Sequence, residues 1–185
     1  METIPLYWLM NPLIIWSVLA LQIACVVLLL GIVRVSPFSK LIPFVGRQAI
    51  PISFLVLFAS VVGSLYYSEV AGFAACSLCW VQRVFIYPQV IIFGLARWYD
   101  RRDVFLYTST LSFFGLSVAL YNVFIQTFNT ASAFCEPGSA ASSCLEKYVE
   151  GLGYITIPVM SVTLLVFLLI VAWSKKVSNM SVFVA

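Results

Sequence analysis

Four of the five cysteines in this 185-residue chain fall into two close pairs. Cys76 and Cys79 form a C-x-x-C within Ala75-Cys76-Ser77-Leu78-Cys79-Trp80, and Cys135 and Cys144 bracket a soft run from Glu136 to Ser143. A C-x-x-C serves as a structural disulfide, as half of a metal site or as a redox dithiol. A four-thiolate zinc site would pair it with a second C-x-x-C, whereas the Gly-, Ser-, Ala- and Pro-containing spacer here is long for a zinc knuckle. The chain has no histidine, which excludes histidine-ligated haem, the usual zinc sites and any Ser-His-Asp or Cys-His catalysis. The redox reading has a physical basis. Cys79 stands where an apolar run begins, and the unpaired amides of a helix start lower the pKa of a thiol there. Cys79 is therefore expected to ionise readily and to act as nucleophile or leaving group in exchange. Cys25, alone within another apolar run, reads as a small buried hydrophobe.

Arg83 follows Cys79 by four residues, on the same helical face and about 6 Å deeper. An arginine inside a membrane span is expensive, and it marks either a functional site or a side chain that reaches back to the interface. The functional reading is a cation that steadies a thiolate beside an oxygen-rich electron acceptor. The second pair has a different character. Closing the Cys135–Cys144 loop gains about 3 kcal/mol in the chain-entropy picture, and a disulfide exposed on such a segment is of the labile, exchangeable kind. Just downstream, Leu145, Tyr148, Val149 and Leu152 recur at near-helical spacing, which predicts a short amphipathic helix on the membrane surface.

Lipid must be the solvent for the elements that carry these residues. Hydrophobic residues make up 63% of the chain and charged ones 9%, more apolar surface than a soluble fold of this size can bury. Five runs are long enough to cross a bilayer: 12–33, 49–67, 80–98, 104–125 and 154–173. The first lacks the basic n-region and short core of a signal peptide, so a retained span is expected. Arg34, Lys40 and Arg47 follow span one, Arg97, Arg101 and Arg102 follow span three, and Lys175 and Lys176 follow span five. The other side carries Lys147 alone among the lysines and arginines. The positive-inside rule then puts the N-terminus outside, the C-terminus in the cytoplasm and both cysteine pairs on the oxidising side. The net charge of +3 thus informs topology and points to no nucleic acid. An all-α membrane protein is expected.

The run Cys76-Ser77-Leu78-Cys79-Trp80-Val81-Gln82-Arg83, followed by Tyr87-Pro88, resembles the DsbB/BdbC family of disulfide bond formation proteins. So does the order of the motifs, with a loop cysteine pair next and Gly153-Tyr154-Ile155-Thr156-Ile157-Pro158 opening the last span. The resemblance covers 49–173 as a four-helix bundle, leaving 1–48 as an additional transmembrane helix with a basic linker and 174–185 as a cytoplasmic tail. It implies a bacterial inner-membrane enzyme with catalytic Cys76, Cys79, Cys135 and Cys144. An extracytoplasmic thioredoxin-fold oxidase, of the DsbA/BdbD kind, would form a mixed disulfide with Cys135. Cys144 would exchange with Cys76, and Cys79 would pass electrons to a quinone, ubiquinone or menaquinone, beside Arg83. No metal is implied. Such partners are strong oxidants, and each 30 mV uphill costs about 1.4 kcal/mol, so an acceptor in the membrane must supply the pull. Two other classes compete. A vitamin K epoxide reductase-like enzyme would place its C-x-x-C after the loop pair, and a scaffold with bracing disulfides would leave Arg83 without a purpose.

Overall fold

The computed structural model describes residues 4–33, 35, 38–73, 75–99, 103–128 and 147–184. Among the described residues six α-helices follow one another: α1 Ile4–Ile32, α2 Leu41–Arg47, α3 Ala49–Leu65, α4 Ser77–Trp98, α5 Val104–Phe128 and α6 Ile157–Val184. All but α2 are long and apolar enough to cross a membrane, and the protein is an all-α, multi-pass membrane protein. In lipid a helix satisfies its own backbone, so these apolar runs have no other way to cross.

Helix α6 is the centre of the bundle. It packs against α5, α3, α2 and α1, while α4 lies between α3 and α5. Leu57 of α3, Ile86 and Phe93 of α4, Ala119 of α5 and Leu164, Leu165 and Leu168 of α6 form one buried cluster. Hydrophobicity alone does not draw helices together in lipid, so close approach and polar links must do so. Gly115 provides the first: a Cβ there would stand 3.0 Å from the Cβ of Phe85 and 3.4 Å from Leu165. Ser112 provides the second, donating from Oγ to Oε1 of the fully buried Gln89 at 3.1 Å.

A second cluster joins the N-terminal residues to this core. Cys25 and Leu28 of α1 pack with Ile42 of α2, Ala49 of α3 and Phe167, Ile170 and Val171 of α6. Cys25 is a buried free thiol here, as a small hydrophobe would be. The basic linker is largely helical, with a 3-10 turn over Phe38–Lys40 leading into α2.

At the other end α3 runs into a π turn, Tyr66–Val70, in which the Ala71 amide donates to the Tyr66 carbonyl at 2.9 Å. The turn sets Tyr67 and Phe73 in a stack with ring centroids 5.8 Å apart, and Tyr148 stacks on Phe73 at 5.0 Å. This stack corrects the expectation of an amphipathic helix at Tyr148, Val149 and Leu152, while Leu145 lies outside the described residues. From Lys147 onward the chain is irregular, then turns tightly with Gly151 bridged to Ile155. Leu152 and Gly153 both take positive φ, at 51° and 78°, which no helix accommodates. Val149 is buried against the aromatic stack instead of facing lipid. The fifth span consequently begins at Ile157, after this turn, and not at Tyr154.

Candidate functional site

Helix α4 starts one residue beyond Cys76. Cys76 is its N-cap, with extended backbone, and its sulfur accepts the Cys79 amide at 3.4 Å. The two sulfurs lie 2.9 Å apart in a hydrogen bond, both as free thiols. Cys76 is buried and Cys79 half-buried, and both pack with Leu78 and Ile125.

This geometry moves the helix-start chemistry from Cys79 to Cys76. The Cys76 thiol is lowered from 9.0 to about 6, chiefly by the hydrogen bond from the Cys79 side chain. Burial opposes the shift, and the amides of Cys79 and Leu78 add to it. The correction has a simple origin: the apolar run begins at Trp80, but the cap lies a turn earlier.

On the inner side of the pair, Arg83 is half-buried at the meeting point of α3 and α4. Its Nη2 donates to the Ser64 carbonyl at 3.3 Å, and its guanidinium carbon lies 5.1 Å from the centre of the Trp80 ring. Tyr87 donates to the Ser64 hydroxyl at 3.2 Å, so α4 grips α3 by two polar contacts at one residue. The Ser64 contact occupies one of the five N–H donors of the guanidinium and leaves others to face a ligand.

Sequence reasoning missed Asn122. This fully buried residue of α5 donates from Nδ2 to the Cys79 sulfur at 3.8 Å, a long contact even for sulfur. Its Oδ1 has no hydrogen-bond partner among the described residues, and neither has Nε2 of Gln82 nor Oε1 of Gln126. Gln82 follows Cys79 by three residues, and Gln126 follows Asn122 by four, one turn further along α5. Buried polar atoms without partners are costly and normally answer to something. An uncharged polar residue in the fourth apolar run was the available signal, since such residues in spans face protein or a ligand. Cys135 and Cys144 lie outside the described residues.

The dithiol, its proton-sharing hydrogen bond and the nearby cation suit electron-pair transfer at the membrane surface. Comparison with known proteins finds disulfide bond formation proteins. The family described as "Disulfide bond formation protein DsbB" matches residues 46–174. The SPbeta prophage-derived disulfide bond formation protein B of Bacillus subtilis is 41% identical over 110 residues, covering 58% of this chain and 72% of that protein. A probable disulfide formation protein C of Halalkalibacterium halodurans is 35% identical over 122 residues, or 64% of this chain and 85% of the relative. Disulfide bond formation protein C of Bacillus subtilis is 32% identical over 119 residues, or 64% and 84%. No solved structure matches the chain. A membrane-embedded C-x-x-C chain matched over this length belongs to the DsbB family of disulfide bond formation proteins.

Proposed function

We propose that this protein is a protein-disulfide:quinone oxidoreductase, which reoxidises an extracytoplasmic thioredoxin-fold dithiol oxidase and delivers the electrons to a membrane quinone. The observation that carries the proposal is the Cys76–Cys79 dithiol at the head of α4, with Arg83 and orphaned polar atoms of Gln82 and Asn122 on the following turns and on α5.

Those residues fit a quinone. Arg83 and the Gln82 amide offer donors for carbonyl oxygens, and the Asn122 carbonyl offers an acceptor for a hydroxyl of the reduced ring. Trp80 and neighbouring apolar side chains of α4 suit a flat hydrophobic ring. When bound, a quinone accepts the two electrons and two protons released as a dithiol closes to a disulfide.

The protein's own part is a chain of exchanges. A thiolate of the partner attacks Cys135, forming a mixed disulfide and releasing Cys144 as thiolate. Cys144 attacks Cys76, which breaks the Cys76–Cys79 bond and frees Cys79. The partner's second thiolate then resolves the mixed disulfide and leaves oxidised. Cys135 attacks Cys144, restores the loop disulfide and releases Cys76. The amide contact and the Cys79 hydrogen bond steady the Cys76 thiolate at that moment. Cys79 is the sulfur that Asn122 touches, and it carries the electron pair inward beside Arg83. The working orientation puts this end outside, with the basic loops in the cytoplasm. Residues 49–173 form the catalytic unit, and 1–48 supply a further span.

The test uses the purified, reduced protein and an added soluble quinone, followed by quinone absorbance and thiol titration. One disulfide should form per quinone reduced. A protein that keeps its thiols in the presence of quinone, yet exchanges with dithiol partners, overturns the quinone assignment.

A further inference from the structure

The end of the bundle opposite the dithiol carries a feature that electron transfer does not use. Along α4, Arg97 lies about 30 Å from Cys76. There a cavity of roughly 240 Å³ opens between the start of α3, the end of α4, the start of α5 and α6. Gly46, Arg47, Gln48, Arg97, Phe105 and Lys175 are among its walls, so three of these side chains are cationic. No carboxylate is paired with Arg47 or Arg97 among the described residues. A second, open hollow of roughly 520 Å³ adjoins it through Arg97, walled otherwise by Phe54, Gly94 and Trp98. Trp98 is 86% exposed, at a helix end where an indole sits at headgroup level.

We propose that these adjoining hollows form a binding site for an anionic phospholipid. The cationic cavity takes the phosphate-bearing headgroup, and the Phe54–Gly94–Trp98 hollow takes the first part of an acyl chain. Three observations converge on this ligand. The smaller cavity is below the roughly 300 Å³ where drug-sized ligands begin, which suits a headgroup. Its walls carry cations from three different segments that the fold brings together: Arg47 at the end of α2, Arg97 on α4 and Lys175 on α6. Its neighbour is apolar and open on the lipid-facing side of α3 and α4, where Gly94 removes a side chain that would fill it. A Cβ at Gly94 would stand 3.3 Å from the Phe54 ring. A free phosphate would use the cations but leave the apolar hollow idle, so the pair of hollows favours a lipid. Such a lipid would bridge α3, α4 and α6 and hold the non-catalytic end of the bundle together.

The experiment compares phosphatidylglycerol with phosphatidylcholine on the full chain, by native mass spectrometry of protein released from detergent micelles. The unaltered protein should retain phosphatidylglycerol at least about tenfold better. Arg47→Gln and Arg97→Gln should each weaken that retention about fivefold, from roughly 1 kcal/mol per cation near the surface, and together by about 25-fold. Gly94→Leu, which keeps every charge, should weaken it as well by filling the apolar hollow. Exchange at the Cys76–Cys79 dithiol should be unchanged in all three variants, which also reports that they fold. Inorganic phosphate in large excess should not displace the lipid. Equal retention of the two lipids by the unaltered protein would overturn the proposal without any variant. Displacement by phosphate, or indifference to Gly94→Leu, would leave a plain anion site and overturn the lipid assignment.

Discussion

Replacing Arg83 separates the quinone mechanism from a merely structural reading of the site. In Arg83→Met the long apolar stem survives, but the Ser64 contact at 3.3 Å and the stacking over Trp80 at 5.1 Å are lost. The carbonyl of Ser64 keeps another donor, because the Ser68 hydroxyl reaches it at 3.3 Å. The loss of stability should therefore be modest, about 1 kcal/mol from the cation–π contact within α4 and the hydrogen bond from α4 to α3. The electron-transfer step loses more. A charge-assisted contact to a developing anion contributes about 1.5–3 kcal/mol, so quinone reduction should slow by roughly ten- to a hundred-fold. Arg83→Lys should recover part of this, since it keeps the charge but not the planar fork. Stopped-flow measurement of both half-reactions in one preparation is the assay: thiol exchange with an external dithiol, then reduction of added quinone. Exchange with the loop pair should stay within a factor of two or so of the unaltered protein, because the proposed relay runs that step outside the membrane. Equal slowing of both half-reactions, or a large fall in melting temperature with normal quinone reduction, would make Arg83 a brace between α3 and α4 and nothing more.

Four further outcomes follow from the same geometry. Ultraviolet absorbance of the Cys76 thiolate in the reduced protein should rise as pH passes through about 6, because its lowered pKa leaves it ionised above that value; a midpoint near 9 would remove the stabilisation by the Cys79 hydrogen bond and the helix-start amides. Asn122→Leu should leave stability equal or higher, since a buried oxygen without a partner disappears, while quinone reduction slows about fivefold from the lost contact to Cys79; unchanged turnover would make Asn122 a bystander. Gly46→Val should lower the melting temperature, because its Cβ would stand 2.6 Å from the Cβ of Ser178, and overpacking of this kind costs about 1–3 kcal/mol. Reporter fusions after residue 40 should read cytoplasmic and those near residue 140 external; the reverse would place the loop cysteines in a reducing compartment.

The spans were legible because lipid imposes a simple demand, a long apolar run with its backbone bonded internally. The dithiol and Arg83 were legible because i, i+3 and i+4 spacing on one helix is local information. What failed was chemistry at the ends of elements and between them. The onset of apolar residues puts the helix start at Cys79, while the actual cap, Cys76, is outside the residue types usually found there. The predicted surface helix had the right period, yet Gly151 and Gly153 close a turn there and Val149 is drawn into the aromatic stack. Residues 41–47 carry Pro43 and Gly46 and read as linker, but packing against α6 makes them helical. Asn122 reaches Cys79 across 43 residues of sequence, and no local pattern announces such a contact.

The region shared with the family begins at residue 46, yet the folded unit does not. Helix α1 is tied to the bundle by polar links as well as by Cys25 and Leu28. Asn11 accepts from the Tyr67 hydroxyl at 3.0 Å, and Gln22 both donates to Thr163 at 3.2 Å and accepts from Tyr154 at 2.7 Å. Ile15 fills the space over Gly151, where a Cβ would stand 2.7 Å from its Cδ1. These contacts are informative in their placement. Tyr67 precedes the segment that leads to Cys76, and Gly151 and Tyr154 follow the segment that contains Cys144. Helix α1 therefore touches the fixed ends of both cysteine-bearing segments at once. Polar contacts between helices in lipid contribute about 0.6 kcal/mol each on average, so three of them are modest as a source of stability. Their larger effect is positional: they set the root of one cysteine segment against the root of the other, and the proposed disulfide relay needs its exchanging sulfurs brought repeatedly into line.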